Sequence, residues 1–527
     1  MPGILFENGD ILTMEPQLYA QAVLVEGGCI RAVGARQQLE KACGPEVTRV
    51  DLRGKTLMPA FIDSHSHITA LASTLAFADL SGAKSLAGLR QLLLDFLNTH
   101  ALKKGAWLIG FGYDHNQLAE HAHPDKALLN SISTEFPIMV THQSGHMGAV
   151  NQRALELAEI RADTPDPEGG HIGRVEGSRE PSGYLEEKAF LAVSSLVPAP
   201  DMAQQRALLR QAEQEYLKHG VATVQDGLLQ EPGFALLCGA SLHVDTVGFA
   251  DLKKSPELLR QHPEYCGGYR NHFRLGGYKI ILDGSPQGRT AWMSEPYENA
   301  ADGYRGYPVY SDTQVVQMIE TALREHAQLL AHCNGDAAAG QLLDCYERAL
   351  AAYPDAADLR PVMIHAQTVR RDQLARMKKL RMIPSFFIAH IFYWGETHRK
   401  NLGSRADTIS PARSALAFDL PYTFHQDTPV LPPDMLRTVQ CAVTRETQGG
   451  AVLGREECIS PLEALRGVTI NAAYQYFEEQ EKGSLRPGKR ADLVILSANP
   501  LKTLADEIGS IEVLATIKDG ETVYQKA

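Results

Sequence analysis

The sequence predicts an α/β protein, a (β/α)8 TIM-type barrel with a small β-sandwich domain built from both chain termini. Buried-type strands alternate with amphipathic helices through the middle of the chain, which is typical of a parallel sheet covered by helices. Both ends instead show short β-strands separated by tight turns. The 527 residues also exceed the roughly 250 that one such barrel needs, so a second domain is expected.

The two ends of the chain share this pattern of short β-strands and turns. Asn8-Gly9 and Gly27-Gly28 lie between β-forming runs near the N-terminus and are hairpin signals. Near the C-terminus, 491–496 and 511–517 are apolar runs of strand length. We therefore predict that residues 1–58 and 476–527 pair into one β-sandwich domain, with the middle of the chain inserted between them.

The middle, residues 59–475, is the predicted barrel. Its candidate strands are 57–62, 137–142, 221–225, 244–249, 275–282, 328–332, 361–365, 382–386 and 421–425. Helical patterns at 201–219, 311–326 and 337–352 lie between several of them. A long segment at about 70–200 interrupts the alternation, and we predict that this insertion shapes the mouth of the active site.

The amino-acid composition limits the kinds of binding partner that are expected. The net charge of −12 argues against nucleic acid and anionic membranes as partners, so a small-molecule substrate is expected. The N-terminus lacks the basic region of a signal peptide, and the sequence has no apolar stretch long enough to span a bilayer. The eight cysteines are scattered without a C-x-x-C pair, which favours a reducing, cytoplasmic location.

Two histidines at the end of the first apolar run suggest a metal site. Side chains two residues apart on a strand point the same way, so His65 and His67 are expected to converge. Neutral imidazole is a common zinc ligand, and two of them provide half a site. Taken alone, the pair is equally consistent with surface histidines at a strand end.

Later strand ends supply more groups of this kind. His332 and His365 each follow an apolar run, and Asp427 follows the last candidate strand. Parallel barrels collect their catalytic groups at the carboxyl ends of strands, so all of these side chains are expected at one mouth. Four imidazoles and a carboxylate are suitable ligands for zinc.

The ordered set of an H-x-H, a lysine, two single histidines and an aspartate resembles the amidohydrolase superfamily of metal-dependent hydrolases. The motifs 279–284 (KIILDG), 287–291 (QGRTA), 332–337 (HCNGDA) and 142–151 (HQSGHMGAVN) resemble its YtcJ-like branch more narrowly. The resemblance covers almost the whole chain. Where the branch commonly has Gly-Ser-Asp before a proline, this chain has His425-Gln426-Asp427.

The resemblance implies a ligand set. One metal would be bound by His65, His67 and Asp427, and a second by His332 and His365. Lys279 would bridge them if CO2 has converted its amine into a carbamate, because an ammonium beside two cations is strongly disfavoured. An unmodified Lys279 would suggest one metal, and the lysine is also explained as a buried partner of an acid such as Asp283.

The implied activity is hydrolysis of a non-peptide C–N bond, amide or N-acyl, in a small molecule. Metal ions lower the pKa of water, so hydroxide becomes available to attack the carbonyl carbon. Asp427 would act as general base and then as acid towards the leaving nitrogen. The family also allows a homodimer.

Further residues are expected to contact the substrate or the transition state. His146 is the second catalytic candidate, as an oxyanion or substrate contact, although it could instead orient a ligand. Its neighbour His142, four residues earlier, would pair with it on a helix, but Ser144-Gly145 favours a loop. The other candidates are Tyr113, Arg289, His390 and Trp394, for which ion pairing or core packing are the simpler alternatives.

Two other functions are consistent with the pattern. A mononuclear deaminase acting on a heterocycle would share most of the ligands, although such enzymes generally lack the bridging lysine. A regulatory or binding protein could retain the fold without turnover, but the complete ligand set argues against it.

Overall fold

The computed structural model describes residues 3–43, 46–100, 102, 105–354 and 358–527. The chain forms two compact units: Met1–Leu71 with Arg210–Ala527, called the main unit below, and Ala72–Leu209, called the inserted unit. Among the described residues, no helix is both long enough and apolar enough to cross a membrane. The boundaries predicted for the terminal domain, the barrel and the insertion stay predictions.

The strands are β1 Ile4–Leu12, β2 Tyr19–Glu26, β3 Cys29–Gly34, β4 Thr48–Asp51, β5 Thr56–Pro59, β6 Phe61–Ile62, β7 Ala78–Asp79, β8 Leu108–Tyr113, β9 Ile138–His142, β10 Met147–Val150, β11 Gly170–Arg174, β12 Pro181–Glu186, β13 Val221–Leu229, β14 Asp245–Asp251, β15 Phe273–Ile281, β16 Gln328–Cys333, β17 Val362–His365, β18 Ile383–Phe386, β19 Thr423–Phe424, β20 Leu493–Leu496, β21 Val513–Lys518 and β22 Glu521–Gln525. The α-helices are α1 Arg36–Ala42, α2 Ile68–Thr74, α3 Leu86–Thr99, α4 Lys126–Asn130, α5 Gln152–Leu157, α6 Glu187–Ser194, α7 Met202–Lys218, α8 Glu231–Cys238, α9 Leu258–Gln261, α10 Asp312–Arg324, α11 Asp336–Leu350, α12 Arg371–Lys379, α13 His390–Leu402, α14 Ala412–Ala417, α15 Met435–Thr444, α16 Pro461–Gly467 and α17 Ile470–Gln475.

The main unit contains an eight-stranded sheet in the order β19-β18-β17-β16-β15-β14-β13-β6. Every neighbouring pair is parallel, and helices such as α10, α11 and α12 connect successive strands. Strand β17 is buried throughout, as expected when helices cover a parallel sheet. These features confirm the predicted α/β, TIM-like fold.

Hydrogen bonds beyond the two end strands of this sheet bring its edges together. Ser64 Oγ donates to the carbonyl of Phe424 (2.9 Å), and the backbone N–H of Asp427 donates to the carbonyl of His65 (3.2 Å). The N–H of His67 donates to the carbonyl of Thr428 (2.8 Å). The residues after the first strand are thereby fixed beside those after the last.

Strands from both termini pair in a second sheet of the main unit. Its order is β22-β21-β20-β5-β1-β2-β3, with β4 on β1. C-terminal β20 lies antiparallel to N-terminal β5, with Val494 opposite Met58. Its core includes Phe6, Leu57 and Leu493. The pairing of the two ends is therefore observed. The described strands form one hydrogen-bonded sheet. The β-sandwich predicted for the two ends stays a prediction.

The inserted unit has its own six-stranded sheet, ordered β11-β12-β10-β9-β8-β7. Leu89 and Leu93 of α3 pack on Leu108 and Val140 of this sheet. The strand expected at 137–142 exists as β9, but it pairs with β8 and β10 instead of joining the parallel sheet of the main unit. A short buried run has the same pattern in either sheet, so sequence alone could not assign it.

Candidate metal centre

The main unit collects the predicted ligands at the carboxyl ends of its parallel strands. They are His65 and His67 after β6, Lys279 in β15, His332 in β16, His365 at the end of β17 and Asp427 after β19. Parallel register explains this, because Ile281 lies opposite His332 and Cys333 opposite His365. The rings of His65 and His67 lie 5.0 Å apart and those of His332 and His365 lie 4.4 Å apart.

Asp427 connects three of the imidazoles. Its Oδ1 lies 3.1 Å from Nε2 of His67 and 3.4 Å from Nε2 of His65, and its Oδ2 lies 3.8 Å from Nε2 of His365. Ligand atoms of His65, His365 and Asp427 all lie within 4.8 Å of one another, which suits a shared ion. Asp427 and His365 have φ of 53° and 70°, a left-handed conformation that is uncommon for non-glycine residues.

Outer hydrogen bonds determine which nitrogen His65 and His67 direct inward. Nδ1 of His65 lies 2.6 Å from Oε1 of Gln225, whose amide nitrogen is committed to Tyr476 (2.9 Å). Nδ1 of His67 lies 2.8 Å from the carbonyl of Gly227. Both partners accept only, so both Nδ1 atoms carry protons and each Nε2 presents a lone pair.

A chain of hydrogen bonds determines the tautomer of His365. Ser64 donates to the Phe424 carbonyl, so its hydroxyl can accept from Ser385 (3.1 Å), and Ser385 in turn accepts from Nδ1 of His425 (2.8 Å). Nε2 of His425 then accepts from Nδ1 of His365 (3.1 Å). This direction leaves a lone pair on Nε2 of His365.

His332 faces the centre through its other nitrogen. Its Nε2 lies 3.2 Å from the carbonyl of Gly284 and 3.0 Å from the amide nitrogen of Asn334, which also donates to that carbonyl (2.8 Å). The carbonyl can only accept, and it favours the tautomer of His332 with the proton on Nε2. Nδ1 of His332 therefore carries the lone pair, and it lies 3.0 Å from Nε2 of His365. Two acceptors at this separation repel each other unless a cation lies beside both.

In each of the four rings, the protonated nitrogen thus points away from the centre and the lone pair points into it, towards a carboxylate. Metal-bound histidines show this pattern of a second hydrogen bond that orients the ring. The donor set of imidazole nitrogen and carboxylate oxygen can hold a divalent metal ion.

The charges of the metal-free site agree with this assignment. Burial alone would raise the pKa of Asp427, but the hydrogen bond with His67 and the charges of the surrounding imidazoles hold it well below its usual range. Burial lowers the pKa of His67, yet its hydrogen bond and charge interaction with Asp427 raise the pKa overall. Asp427 thus favours a second proton on His67, at Nε2, which would interact with the same carboxylate that a bound cation would.

Lys279 lies at the base of this cluster. It is 1% exposed, and its amine is 3.1 Å from Nε2 of His65. Burial lowers the pKa of Lys279 to about 7, although the charge of Asp427 acts in the opposite direction. Asp283 instead accepts hydrogen bonds from the backbone N–H groups of Asn334 and Gly335 (2.9 and 2.7 Å). The amine of Lys279 is therefore available in its neutral form near pH 7.

Three of the predicted substrate contacts lie in the main unit. Arg289 donates to Oδ1 of Asn401 (3.0 Å) and to the carbonyl of Glu298 (3.1 Å), so its guanidinium is already engaged. His390 is buried, with its Nδ1 3.1 Å from Nε2 of His398 and its ring 4.5 Å from that of Trp394.

The other two predicted contacts lie in the inserted unit. Tyr113 is buried, and its hydroxyl lies 3.0 Å from Nδ1 of His123. His146 is 65% exposed and pairs with Glu187 (3.3 Å). It follows a turn between β9 and β10, as the Ser144-Gly145 pair indicated.

The structure also reveals residues that the sequence interpretation did not assign to the site. His425 orients His365, and its position two residues before Asp427 repeats the spacing of His65 and His67, which is a usable sequence signal. Gln225 and Ser385 lie in buried strands where nothing in the local pattern distinguishes them from core residues.

Comparison with known proteins agrees with this geometry. The amidohydrolase family matches residues 48–524. N-substituted formamide deformylase of Arthrobacter pascens is 29% identical over 100% of this chain and 99% of its own, and the Bacillus subtilis protein YtcJ is 26% identical over 99% of both. The crystal structure of an uncharacterized metal-dependent hydrolase from Pyrococcus horikoshii OT3 superimposes with a TM-score of 0.73 at 24% identity, covering 99% of this chain and 100% of that one. The chain belongs to the amidohydrolase family.

Proposed function

We propose that this protein is a zinc-dependent hydrolase of a non-peptide C–N bond, of amide or N-acyl type, in a small molecule. The observation that carries the proposal is the convergence of the imidazoles of His65, His67 and His365 on Asp427, with His332 next to His365 and a buried, readily deprotonated Lys279 next to His65. Full-length similarity to N-substituted formamide deformylase supports the choice of a C–N bond. The fold and the family support hydrolysis with a divalent metal more generally.

Zinc suits the ligands, because imidazole nitrogen and carboxylate oxygen are its usual partners. We propose that His65, His67 and Asp427 hold one ion, and that His332 and His365 hold a second. Lys279 would bridge the two ions as a carbamate. The neutral amine would form a bond to the carbon of CO2 and release one proton, which is consistent with the lowered pKa of Lys279.

Bound divalent cations would lower the pKa of water towards neutrality and polarise the substrate carbonyl. Asp427 would take the proton from that water and pass it to the leaving nitrogen as the C–N bond breaks. His365 and His425 keep their ring orientation through the serine chain, which prevents the donor atoms from turning away. The buried position of the cluster strengthens these charge interactions.

Substrate contacts are a further part of the proposal. We propose that His146 stabilises the developing oxyanion and that Tyr113 contributes to the substrate site. His390 and Trp394 would supply an aromatic wall. Arg289, whose guanidinium donates to Asn401 and Glu298, would act mainly by holding the glycine-rich loop around it.

The experiment is an assay of metal-free and zinc-loaded protein on a panel of N-formyl and N-acetyl amines, with amine release as the readout. We expect turnover only in the zinc-loaded form, and a loss of about 100-fold or more in Asp427→Asn, because a general base contributes about that much. Asp344→Asn, which changes an exposed carboxylate paired with Arg376, serves as the matched control.

Two outcomes would contradict the proposal. Ammonia release from a heterocycle with full rate in Lys279→Ala would point to a mononuclear deaminase. Substrate binding without turnover in both wild type and Asp427→Asn, at any metal loading, would point to a binding protein.

The cytoplasmic location and the homodimer also stay predictions. Size-exclusion chromatography with light scattering will determine the oligomeric state, and fractionation of the native host will determine the compartment.

A further inference from the structure

We propose that the inserted unit holds a zinc site of its own, formed by Asp114, His115 and His142. Strands β8 and β9 are parallel neighbours, and Tyr113 lies opposite His142 in their register. The residues that follow Tyr113 therefore meet His142 at the same edge of the sheet. The N–H of Gln143 donates to the carbonyl of Tyr113 (2.9 Å), which holds the two strand ends together.

The three donor atoms have the spacing that a small cation requires. Nδ1 of His115 lies 3.3 Å from Nε2 of His142, and Oδ1 of Asp114 lies 3.6 Å from Nε2 of His142 and 3.9 Å from Nδ1 of His115. The point in their plane that is equidistant from all three lies about 2.1 Å from each, and a tetrahedral ion, displaced from that plane, would lie about 2.2 Å from each, at the upper end of zinc–nitrogen and zinc–oxygen bond lengths.

The spacing also favours zinc over a six-coordinate ion. Ligand atoms about 2.1 Å from a tetrahedral ion are separated by about 3.4 Å, whereas those of an octahedral ion are separated by about 3.0 Å. Of the observed separations, 3.3 Å is close to the tetrahedral value, and 3.6 and 3.9 Å lie above it, further still from the octahedral value. Two imidazoles and a carboxylate are also a known zinc donor set.

Each proposed ligand is oriented from outside the cluster. Oδ1 of Asp114 accepts the N–H of Asn116 (2.9 Å), and the ring of His115 stacks on that of His123 at 4.1 Å. Nδ1 of His142 lies 2.9 Å from Oγ of Ser144. These contacts limit rotation of all three side chains, so little rearrangement is needed for binding.

The burial pattern provides a route for the ion and leaves one coordination position open. The side chains of His142 and Asp114 are 9% and 13% exposed, whereas that of His115 is 29% exposed. An ion held by the three groups would therefore face solvent on the side of His115. A water molecule would complete a four-coordinate site there.

Without a cation, a proton is shared among the same atoms. The backbone N–H of Ser144 donates to Nδ1 of His142 (3.1 Å), which leaves the proton of His142 on Nε2, directed towards Asp114 and His115. Zinc binding at Nε2 would require the other neutral tautomer of His142, in which the same proton sits on Nδ1 and is donated to Oγ of Ser144 (2.9 Å). The cation replaces a proton at the centre of the triangle.

The test measures zinc bound to the full-length protein by equilibrium dialysis at controlled free zinc, followed by elemental analysis. We expect His115→Ala and Asp114→Asn each to bind one zinc fewer per chain than wild type. The matched control is His171→Ala, which removes the histidine of an exposed His–Asp pair in the same unit (2.8 Å from Asp166) and should retain the wild-type content. Circular dichroism checks that each variant is folded.

A second comparison separates this site from the centre in the main unit. His67→Asn should lose zinc from the main unit only. The double variant with His115→Ala should therefore lose as much zinc per chain as the two single variants together. Wild-type zinc content in both His115→Ala and Asp114→Asn would overturn the proposal, as would an equal loss in His171→Ala. Binding of iron with exclusion of zinc would overturn the assignment of the metal.

Discussion

Nδ1 of His332 and Nε2 of His365 face each other at 3.0 Å, and in the tautomer of His332 that the Gly284 carbonyl favours both are hydrogen-bond acceptors. The proton of His332 is donated to the Gly284 carbonyl and that of His365 to His425, so neither ring supplies a proton for the gap between them. Two lone pairs at this distance destabilise the folded state. A cation that interacts with both removes the repulsion and gains two ligands.

Metal removal should therefore destabilise the protein. We expect the melting temperature to fall after chelation and to recover on addition of zinc, because a ligand at a thousandfold excess over its Kd stabilises by about 4 kcal/mol. Calorimetry in an Asp114→Asn background isolates the main unit from the inserted one. His332→Ala should show a smaller zinc-dependent shift, and equal melting temperatures with and without metal would contradict the assignment.

Gly227 allows the two ligands of the H-x-H pair to approach the backbone. A Cβ added there would lie 2.9 Å from Cε1 of both His65 and His67, closer than real contacts allow. We expect Gly227→Ala to weaken zinc binding by about 10-fold to 100-fold, as disturbance of ligand orientation does elsewhere. Gly267→Ala is the matched control, since a Cβ there meets nothing within 4 Å. Equal zinc affinities in the two variants would refute this role.

The serine chain behind His365 can be tested with conservative replacements. Ser385→Ala removes the acceptor of the His425 Nδ1 proton, so His425 can adopt the other tautomer and stop accepting from His365. We expect about 10-fold to 100-fold weaker zinc binding, measured by competition with a chelating dye. Ser385→Thr keeps the hydroxyl and should restore the affinity. Equal weakening in both variants would indicate a packing effect.

Two buried lysines allow a test of the carbamate. Burial lowers the pKa of Lys279 to about 7, whereas Asp245 and Glu478 overcome the same burial effect at Lys482 and raise its pKa well above the usual value. Only a neutral amine reacts with CO2, so carbamate formation on Lys279 should increase as the pH rises through 7. Below pH 7, the rate of carbamate formation should fall by about tenfold per pH unit.

The measurement is carbon-13 NMR of zinc-loaded protein in labelled bicarbonate. A single carbamate signal is expected above pH 7, and it should be missing from Lys279→Met. Lys482 should contribute none, because its amine remains charged. A signal that persists in Lys279→Met would assign the carbamate to another amine.

The ligand positions could be predicted because they depend on local pattern and on one general rule. Apolar runs that end in His332, His365 or the segment before Asp427 are visible in the sequence, and parallel strands bring such ends together. Strand alternation, however, does not account for the convergence of His65 and His67. Strand β6 ends at Ile62, so the two rings converge through their bonds to Gln225 and Gly227 and not through strand alternation.

The remaining features depend on contacts between distant segments. The tautomer of His365 depends on Ser64 and Ser385, which lie 321 positions apart. The apolar pattern of the strand at 138–142 is consistent with the sheet of either unit. Its position is determined by pairing with β8 and β10. The periodicity of apolar residues indicates which residues are buried but not which strands pair with each other. For this reason the sequence predicted a strand there but could not assign it to a sheet.

A buried ion-pair network connects the terminal strands to the parallel sheet. Oδ2 of Asp245 in β14 lies 2.6 Å from the amine of Lys482, 2.8 Å from that of Lys518 and 3.1 Å from Nη1 of Arg490. His272 interacts with the other oxygen at 2.7 Å. Burial alone would raise the pKa of Asp245, but Lys482 and Lys518 hold it well below its usual range.

Because the pKa of Asp245 is lower in the folded state, its stabilisation is fully present above its unfolded pKa of about 3.9 and is lost as the pH falls through the folded value. Asp245→Asn leaves buried cations without their partner, so we expect a loss of about 3–5 kcal/mol at neutral pH. Urea denaturation from pH 8 to pH 3 should show a constant difference from wild type that shrinks only below about pH 4. Asp166→Asn, which breaks the exposed pair with His171, should remain within about 1 kcal/mol of wild type. A difference between Asp245→Asn and wild type that already shrinks near pH 6 would contradict the assignment of the effect to the Asp245 carboxylate.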